Sequence, residues 1–112
     1  MMSERQFEIM LYGASGFTGK LVAEYLATEH AQLNWAIAGR SEQRLDQVRR
    51  ELGMPDLPIV IADSSNTDQL SAMARRTCTL ISTVGPYAQY GTPVLEACAN
   101  EGTHYCDLTG EA

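Results

Sequence analysis

The sequence predicts an α/β fold: a doubly wound parallel sheet of five strands, ordered 3-2-1-4-5. Three observations predict it. Short apolar runs alternate with segments of helical period, the pattern of parallel strands joined by right-handed helical crossovers. The first three runs are almost continuously apolar, as in strands covered on both faces. A glycine-rich turn at 13–19 falls where the first run passes into the first helical segment.

Each element has its own signal. Residues 9–12 form the first strand, closed by Gly13. The first helix runs from Gly16 to about Glu29, and helical spacing puts Phe17, Leu21, Val22, Tyr25 and Leu26 on one face. Residues 35–38 are the second strand, closed by Gly39. The second helix, about 42–52, aligns Leu45, Val48 and Leu52; Gly53 stops it and Pro55 bars its continuation. Residues 59–62 are the third strand. Asn66 caps a third helix with Gln69 three residues on, burying Leu70, Met73 and Ala74 and ending near Arg76. The fourth strand, 79–84, is broken by Gly85-Pro86. Thr92 is expected to cap a fourth helix with Pro93 at its first position, stopping at Gly102. Residues 105–108 make a short fifth strand.

Composition narrows the function classes. A chain of 112 residues with 45% apolar and 20% charged content is one globular domain, which excludes a disordered tail, a collagen-like chain and a coiled-coil rod. No run approaches the ~20 apolar residues of a membrane span. The first six residues lack the basic start and apolar core of a signal peptide, so a cytoplasmic protein is expected. Eight basic against fourteen acidic residues give −6, a poor charge for a nucleic-acid partner. The doublets Arg49-Arg50 and Arg75-Arg76 read as solvated helix faces. Cys78, Cys98 and Cys106 are odd in number and show no CxxC spacing, so neither a zinc site nor a disulfide framework is expected.

The segment Gly13-Ala14-Ser15-Gly16-Phe17-Thr18-Gly19 carries the chemistry. The first N–H groups of a helix have no partner inside it, and its aligned peptide dipoles make that end positive, so an anion is favoured there. Gly13 permits the tight turn, Gly16 lets a diphosphate approach the backbone, and Gly19 lets the helix pack closely. The spacing is GxxGxxG, with Ser15 where GxGxxG sites have their second glycine. A Walker A loop is excluded, because Gly19-Lys20 is followed by Leu21. The expectation is a Rossmann-type dinucleotide site. Arg40, 21 residues past Gly19, stands where NAD sites hold an acid for the ribose 2′-OH. A guanidinium there can pair with a 2′-phosphate, and Ser41 adds a hydroxyl and a helix N–H, so NADP is expected over NAD. Asp63 either accepts from the adenine amino group or caps the next turn. Val84, Gly85, Pro86 and Tyr87 follow the fourth strand at the crevice where strand order reverses, facing the cofactor's ribose or nicotinamide. Tyr87 and Tyr90 either line the substrate side or are half-buried loop aromatics.

The run Gly85-Pro86-Tyr87-Ala88-Gln89-Tyr90-Gly91-Thr92-Pro93-Val94 resembles the fourth-strand loop of saccharopine dehydrogenase-like oxidoreductases. So do Ala97-Cys98 and Gly102-Thr103-His104-Tyr105-Cys106-Asp107-Leu108-Thr109-Gly110-Glu111. With the glycine turn and Ala38-Gly39-Arg40-Ser41, the resemblance covers nearly the whole chain. It implies the NADP-binding N-terminal domain of that family, which includes trans-acting enoyl reductases. It also implies that more sheet and a substrate domain follow, so the 112 residues are expected to be a fragment without activity alone.

No catalytic residue is assigned. Tyr-x-x-x-Lys is absent, since Lys20 is the sole lysine. His104 reads as a loop residue; three apart near a strand, it and Asp107 point to opposite faces. Cys98 and Cys106 read as small core hydrophobes. The leading reading is the NADP(H)-binding part of an oxidoreductase moving hydride to or from a C=N, C=C or C=O bond of a small-molecule or acyl substrate. One alternative is the N-terminal part of an acyl-phosphate or semialdehyde reductase. Another is a non-catalytic NADP(H)-sensing module. The fifth strand would be an exposed sheet edge, which predicts a homodimer on that side.

Overall fold

The computed structural model describes residues 5–83 and 87–107, with the backbone alone for 87–92 and 107. The elements are β1 (Phe7–Tyr12), α1 (Phe17–Glu29), β2 (Trp35–Gly39), α2 (Glu42–Glu51), β3 (Ile59–Ile61), α3 (Thr67–Arg75), β4 (Thr77–Ser82), α4 (Tyr87–Glu101) and β5 (His104–Asp107). The strands form one sheet in the order β3-β2-β1-β4-β5, and every pairing is parallel.

Strand alternation divides the apolar residues between two cores. Met10, Tyr12, Ala36, Ala38, Val60 and Leu80 meet Leu70, Met73 and Ala74 of α3 and Val94, Ala97 and Cys98 of α4. Leu11, Trp35 and Ile37 meet Ala23 and Leu26 of α1 and Leu45 and Val48 of α2 on the other face. β2 is buried at all five positions, which is why Trp-Ala-Ile-Ala-Gly carries no polar alternation. Each fully buried Leu or Ile in these layers contributes about 1.5–3 kcal/mol.

Four expectations need correction. Three of the five apolar residues expected on one face of α1 point to water: Phe17, Leu21 and Tyr25 are 82%, 52% and 57% exposed, while Leu26 is buried and Val22 packs partly buried on the core. The inward face is Gly19, Ala23 and Leu26, because α1 lies too close to the sheet turn for bulky side chains there. α4 begins at Tyr87, six residues before the expected start, and carries Pro93 inside it. Thr-Pro favours a helix start but does not bar a preceding turn; the cost is the missing Pro93 N–H to the Gln89 carbonyl. Cys106 is exposed. Its strand neighbour Tyr105 packs on the α3/α4 core, which turns Cys106 to the face that the described helices leave bare. His104 lies in β5, paired with Thr79, and is not a loop residue.

At the amino end of the sheet, Arg5 ties two helices together. Its guanidinium donates to the carbonyls of Ala74 (2.9 Å), Thr77 (3.1 Å) and Glu101 (2.6 Å) and to Thr103 Oγ1 (2.7 Å). Ala74 and Glu101 lie in the last turns of α3 and α4, where a cation also suits the helix dipoles; Thr77 opens β4 and Thr103 precedes β5. The arginine doublets lie on helix surfaces as expected. Arg49 and Arg50 pair with Asp46, Arg75 with Glu101, and Arg76 covers the Phe7 ring.

Candidate functional site

Register brings the carboxyl ends of the strands level. Tyr12 lies opposite Ala38 on one side and Ser82 on the other, so Gly13, Gly39 and Thr83 leave the sheet side by side. Gly39 pairs with Ile61 and accepts from the Ala62 N–H at 2.9 Å, which sets Arg40 beside Asp63.

The glycine turn is built on this level. Gly13 has φ 91°, a left-handed conformation that favours glycine, and its N–H donates to the Ala38 carbonyl at 2.9 Å. Thr83 secures the turn from the β4 side: its N–H donates to the Tyr12 carbonyl, and its hydroxyl lies 3.1 Å from the carbonyls of both Tyr12 and Gly13. A Cβ on Gly19 would overlap the Gly13 carbonyl oxygen and come within 2.8 Å of the Ala14 Cα. Glycine is therefore obligatory at 19 for the protein's own packing. Gly16 is different. Its φ of −82° suits any residue, it is exposed, and a Cβ there would meet only the Gly13 oxygen at an ordinary 3.6 Å. The fold does not require glycine at 16; a ligand approaching the backbone would.

The helix that starts there is left open. Gly16 is the N-cap of α1, makes no side-chain cap, and the first turn holds no acidic residue. By contrast Ser41 caps α2 by accepting from Arg44 N–H, Asn66 caps α3 by accepting from Gln69 N–H, and each first turn carries an acid, Glu42 or Asp68. The α1 amino end thus keeps its free N–H groups and positive dipole end facing solvent. A diphosphate fits this cradle, and its charge supplies what the helix lacks.

The other candidates take distinct places. Ala14 is fully buried in the α1/α2 core, so only its backbone serves the turn; Ser15 and Thr18 are half-buried and Phe17 is exposed. Arg40 is exposed at the end of β2, and the Ser41 hydroxyl is engaged in capping. Asp63 displays the capping alternative: its Oδ1 accepts from the Ser65 N–H and hydroxyl, both at 3.0 Å. Those two bonds hold its carboxyl below the usual range, the backbone one most, with a smaller pull from Arg40. Gln69 does not close back on Asn66, whose N–H already donates to the Asp63 carbonyl; its Oε1 accepts from Asp63 N–H instead. Val84, Gly85 and Pro86 lie outside the described residues, as do the side chains of Tyr87 and Tyr90. Thr83 heads the segment Thr83-Val84-Gly85-Pro86-Tyr87 that the sequence marks after the fourth strand, but its hold on the glycine turn was not foreseen. One residue was missed by the sequence reading: Tyr12, whose hydroxyl donates to the Ala62 carbonyl at 3.0 Å and ties β1 to the β3 end. It sat in a plain strand run with no motif to mark it. Among the described residues no cluster can hold a metal, and no helix is long and apolar enough to cross a membrane. A concavity of about 500 Å³ beside Glu8, Glu29 and His30 lies at the opposite end of α1, away from every group above.

The family described as the saccharopine dehydrogenase NADP binding domain matches residues 9–111. The chain belongs to this family. Trans-acting enoyl reductases from Mycobacterium leprae and Mycobacterium tuberculosis are each 51% identical to this saccharopine dehydrogenase NADP-binding domain, over 96% and 97% of it. The chain spans about a quarter of their length, 26% and 27%. Among solved structures, apo saccharopine dehydrogenase (L-Glu forming) from Saccharomyces cerevisiae superposes with TM-score 0.77 at 17% identity, over 95% of this chain and 22% of that one. The NADP(H) complex of Citrobacter sp. triphenylmethane reductase gives 0.73 at 18%, over 90% and 36%. At such identities these structures bear on the fold alone, and the fold is the Rossmann type.

Proposed function

We propose that this chain is the NADP(H)-binding part of a reductase that delivers hydride to an acyl substrate, an enoyl C=C bond in the first instance. The observation that carries it is the uncapped α1 amino terminus behind Gly16, where the space a side chain would fill lies open. The enoyl assignment draws on the 51% identical mycobacterial enoyl reductases, which extend well beyond the region matched. When bound, NADPH supplies the hydride; the protein supplies position. The α1 amides hold the diphosphate, Gly13 and Thr83 fix the turn that aims them, and Arg40 meets the 2′-phosphate with a charge that an NAD site would replace by an acid. The turn after β4 is assigned to the nicotinamide side.

Titration of the chain with NADPH and NADH tests this reading. Wild type is expected to bind NADPH more tightly, and Arg40→Ala to weaken NADPH by about 1.5–3 kcal/mol and NADH much less, as for loss of one charge-assisted contact. Equal or tighter NADH binding by wild type overturns the NADP assignment. β5 is an outer strand of the described sheet, which supports pairing with a second copy on that side. A monomer in sedimentation at high concentration removes that part.

A further inference from the structure

Two turns at the carboxyl rim are internally tied. In the glycine turn, Gly13 N–H donates to the Ala38 carbonyl, Gly16 N–H donates to the Gly13 carbonyl at 3.1 Å, and the Thr83 hydroxyl holds the Tyr12 and Gly13 carbonyls. In the turn after β3, Asn66 N–H donates to the Asp63 carbonyl at 2.9 Å, the Ser65 N–H and hydroxyl donate to Asp63 Oδ1, and Gln69 Oε1 accepts from Asp63 N–H. β2 lies between them, so no ladder joins β1 to β3. A side chain does. Tyr12 directly precedes the first turn, Ala62 directly precedes the second, and the Tyr12 hydroxyl donates to the Ala62 carbonyl at 3.0 Å.

The reach crosses two strand spacings, about 9–10 Å. Tyr12 lies opposite Ala38 in β2, and Ala38 lies opposite Val60 in β3. Ala38 and Ala62 are fully buried in the same core as Tyr12, and the short side chain at 38 leaves the room over β2 that a crossing ring needs. Ala62 N–H already donates to the Gly39 carbonyl, so the Tyr12 bond commits its second polar group. Core packing alone would be served by phenylalanine, which brings no buried hydroxyl to satisfy. The hydroxyl is therefore accounted for by what it connects.

We propose that Tyr12 is a positioning residue for the cofactor: its hydroxyl fixes the span between the glycine turn and the turn at 63–66, so that diphosphate and adenosine are held in one act of binding. The inference rests on the NADP reading of the site and adds a residue to it that touches no part of the ligand. A molecule that spans two half-sites gains from the second contact only when their separation matches its own length. Loss of the bond leaves each half-site intact and lets the separation drift.

The test measures three probes by calorimetry, with competition for the weaker ones. NADP⁺ spans both turns, inorganic pyrophosphate reaches the glycine turn alone, and adenosine 2′-monophosphate reaches the adenosine side alone. Wild type, Tyr12→Phe and Thr103→Val are compared. Phenylalanine keeps the ring in the core. Thr103→Val removes a buried hydroxyl bond to the Ala74 carbonyl at the far end of the sheet and serves as the control for stability. Tyr12→Phe should weaken NADP⁺ about tenfold and leave pyrophosphate and adenosine 2′-monophosphate within about twofold; Thr103→Val should leave all three within about twofold. A Tyr12→Phe protein that binds NADP⁺ like wild type overturns the inference. So does one that weakens either half-probe as much as NADP⁺, since Tyr12 then shapes that half-site and not the span. An equal loss of NADP⁺ in Thr103→Val also overturns it, because the loss then follows stability. In these three outcomes the cofactor reading stands. If wild type binds NADP⁺ no better than pyrophosphate, the cofactor reading falls and this inference with it.

Discussion

Gly16 and Gly19 are three residues apart and are glycine for opposite reasons. At 19 the protein itself leaves no room, since an added methyl would run into the Gly13 and Ala14 backbone. At 16 there is room, and the backbone is one that alanine adopts freely. The two substitutions should therefore separate. Gly19→Ala is expected to lower stability by roughly 1–3 kcal/mol or more, because backbone and not a side chain has to move. Gly16→Ala should change stability by at most about 1 kcal/mol, the scale of a weaker N-cap, yet lose most NADP(H) affinity. Urea unfolding and cofactor titration on the same two proteins check this. A Gly16→Ala protein that binds normally would remove the ligand-approach reading of that residue.

At the scale of elements, the strand order and the three first helices were legible because each signal was local: an apolar run, a cap, a glycine stop. Asn66 caps where its side chain predicts, and Ser41, read as a cofactor contact, proves to cap α2. What the sequence hid was distance. Period alone selected Phe17, Leu21, Val22, Tyr25 and Leu26, but Gly19 draws the helix so near β1 that Gly19, Ala23 and Leu26 are buried beneath it and Val22 packs at the flank. The same close approach that serves the glycine turn thus leaves Phe17, Leu21 and Tyr25 of that face in water. Long-range contacts were hidden for the same reason. Thr83 holds Gly13 from 70 residues away, and Arg5 reaches Glu101 across 96. Arg5→Ala should take a charged donor from the Ala74, Thr77 and Glu101 carbonyls, of which Ala74 keeps the Thr103 hydroxyl and the Arg76 N–H, and cost about 2–4 kcal/mol. Its signature in hydrogen exchange would be faster opening at the ends of α3 and α4 than in α2. Uniform loss of protection would mean that Arg5 acts on the whole fold and not on those two helices.

For the whole molecule, two buried acids set an alkaline limit. Burial raises Tyr12 from 10.0 to about 12, with a further push from Asp63, and burial raises Cys98 from 9.0 to about 11. Both keep their protons in the fold after the unfolded chain has released them. Their contribution is complete below about pH 9 and is lost as pH rises from there to about 12. The urea midpoint should therefore drop between pH 8 and 11, and the Tyr12→Phe, Cys98→Ala double variant should drop less over that interval. Parallel curves would contradict this origin. The arrangement of charge has a different outcome. With a net charge of −6 and Lys20 and Arg44 lining one cavity beside the open α1 amino end, the body is electrically lopsided. A polyanion drifting in is turned away from most directions and admitted from one, so long-range fields sort its angle of arrival before any atom touches.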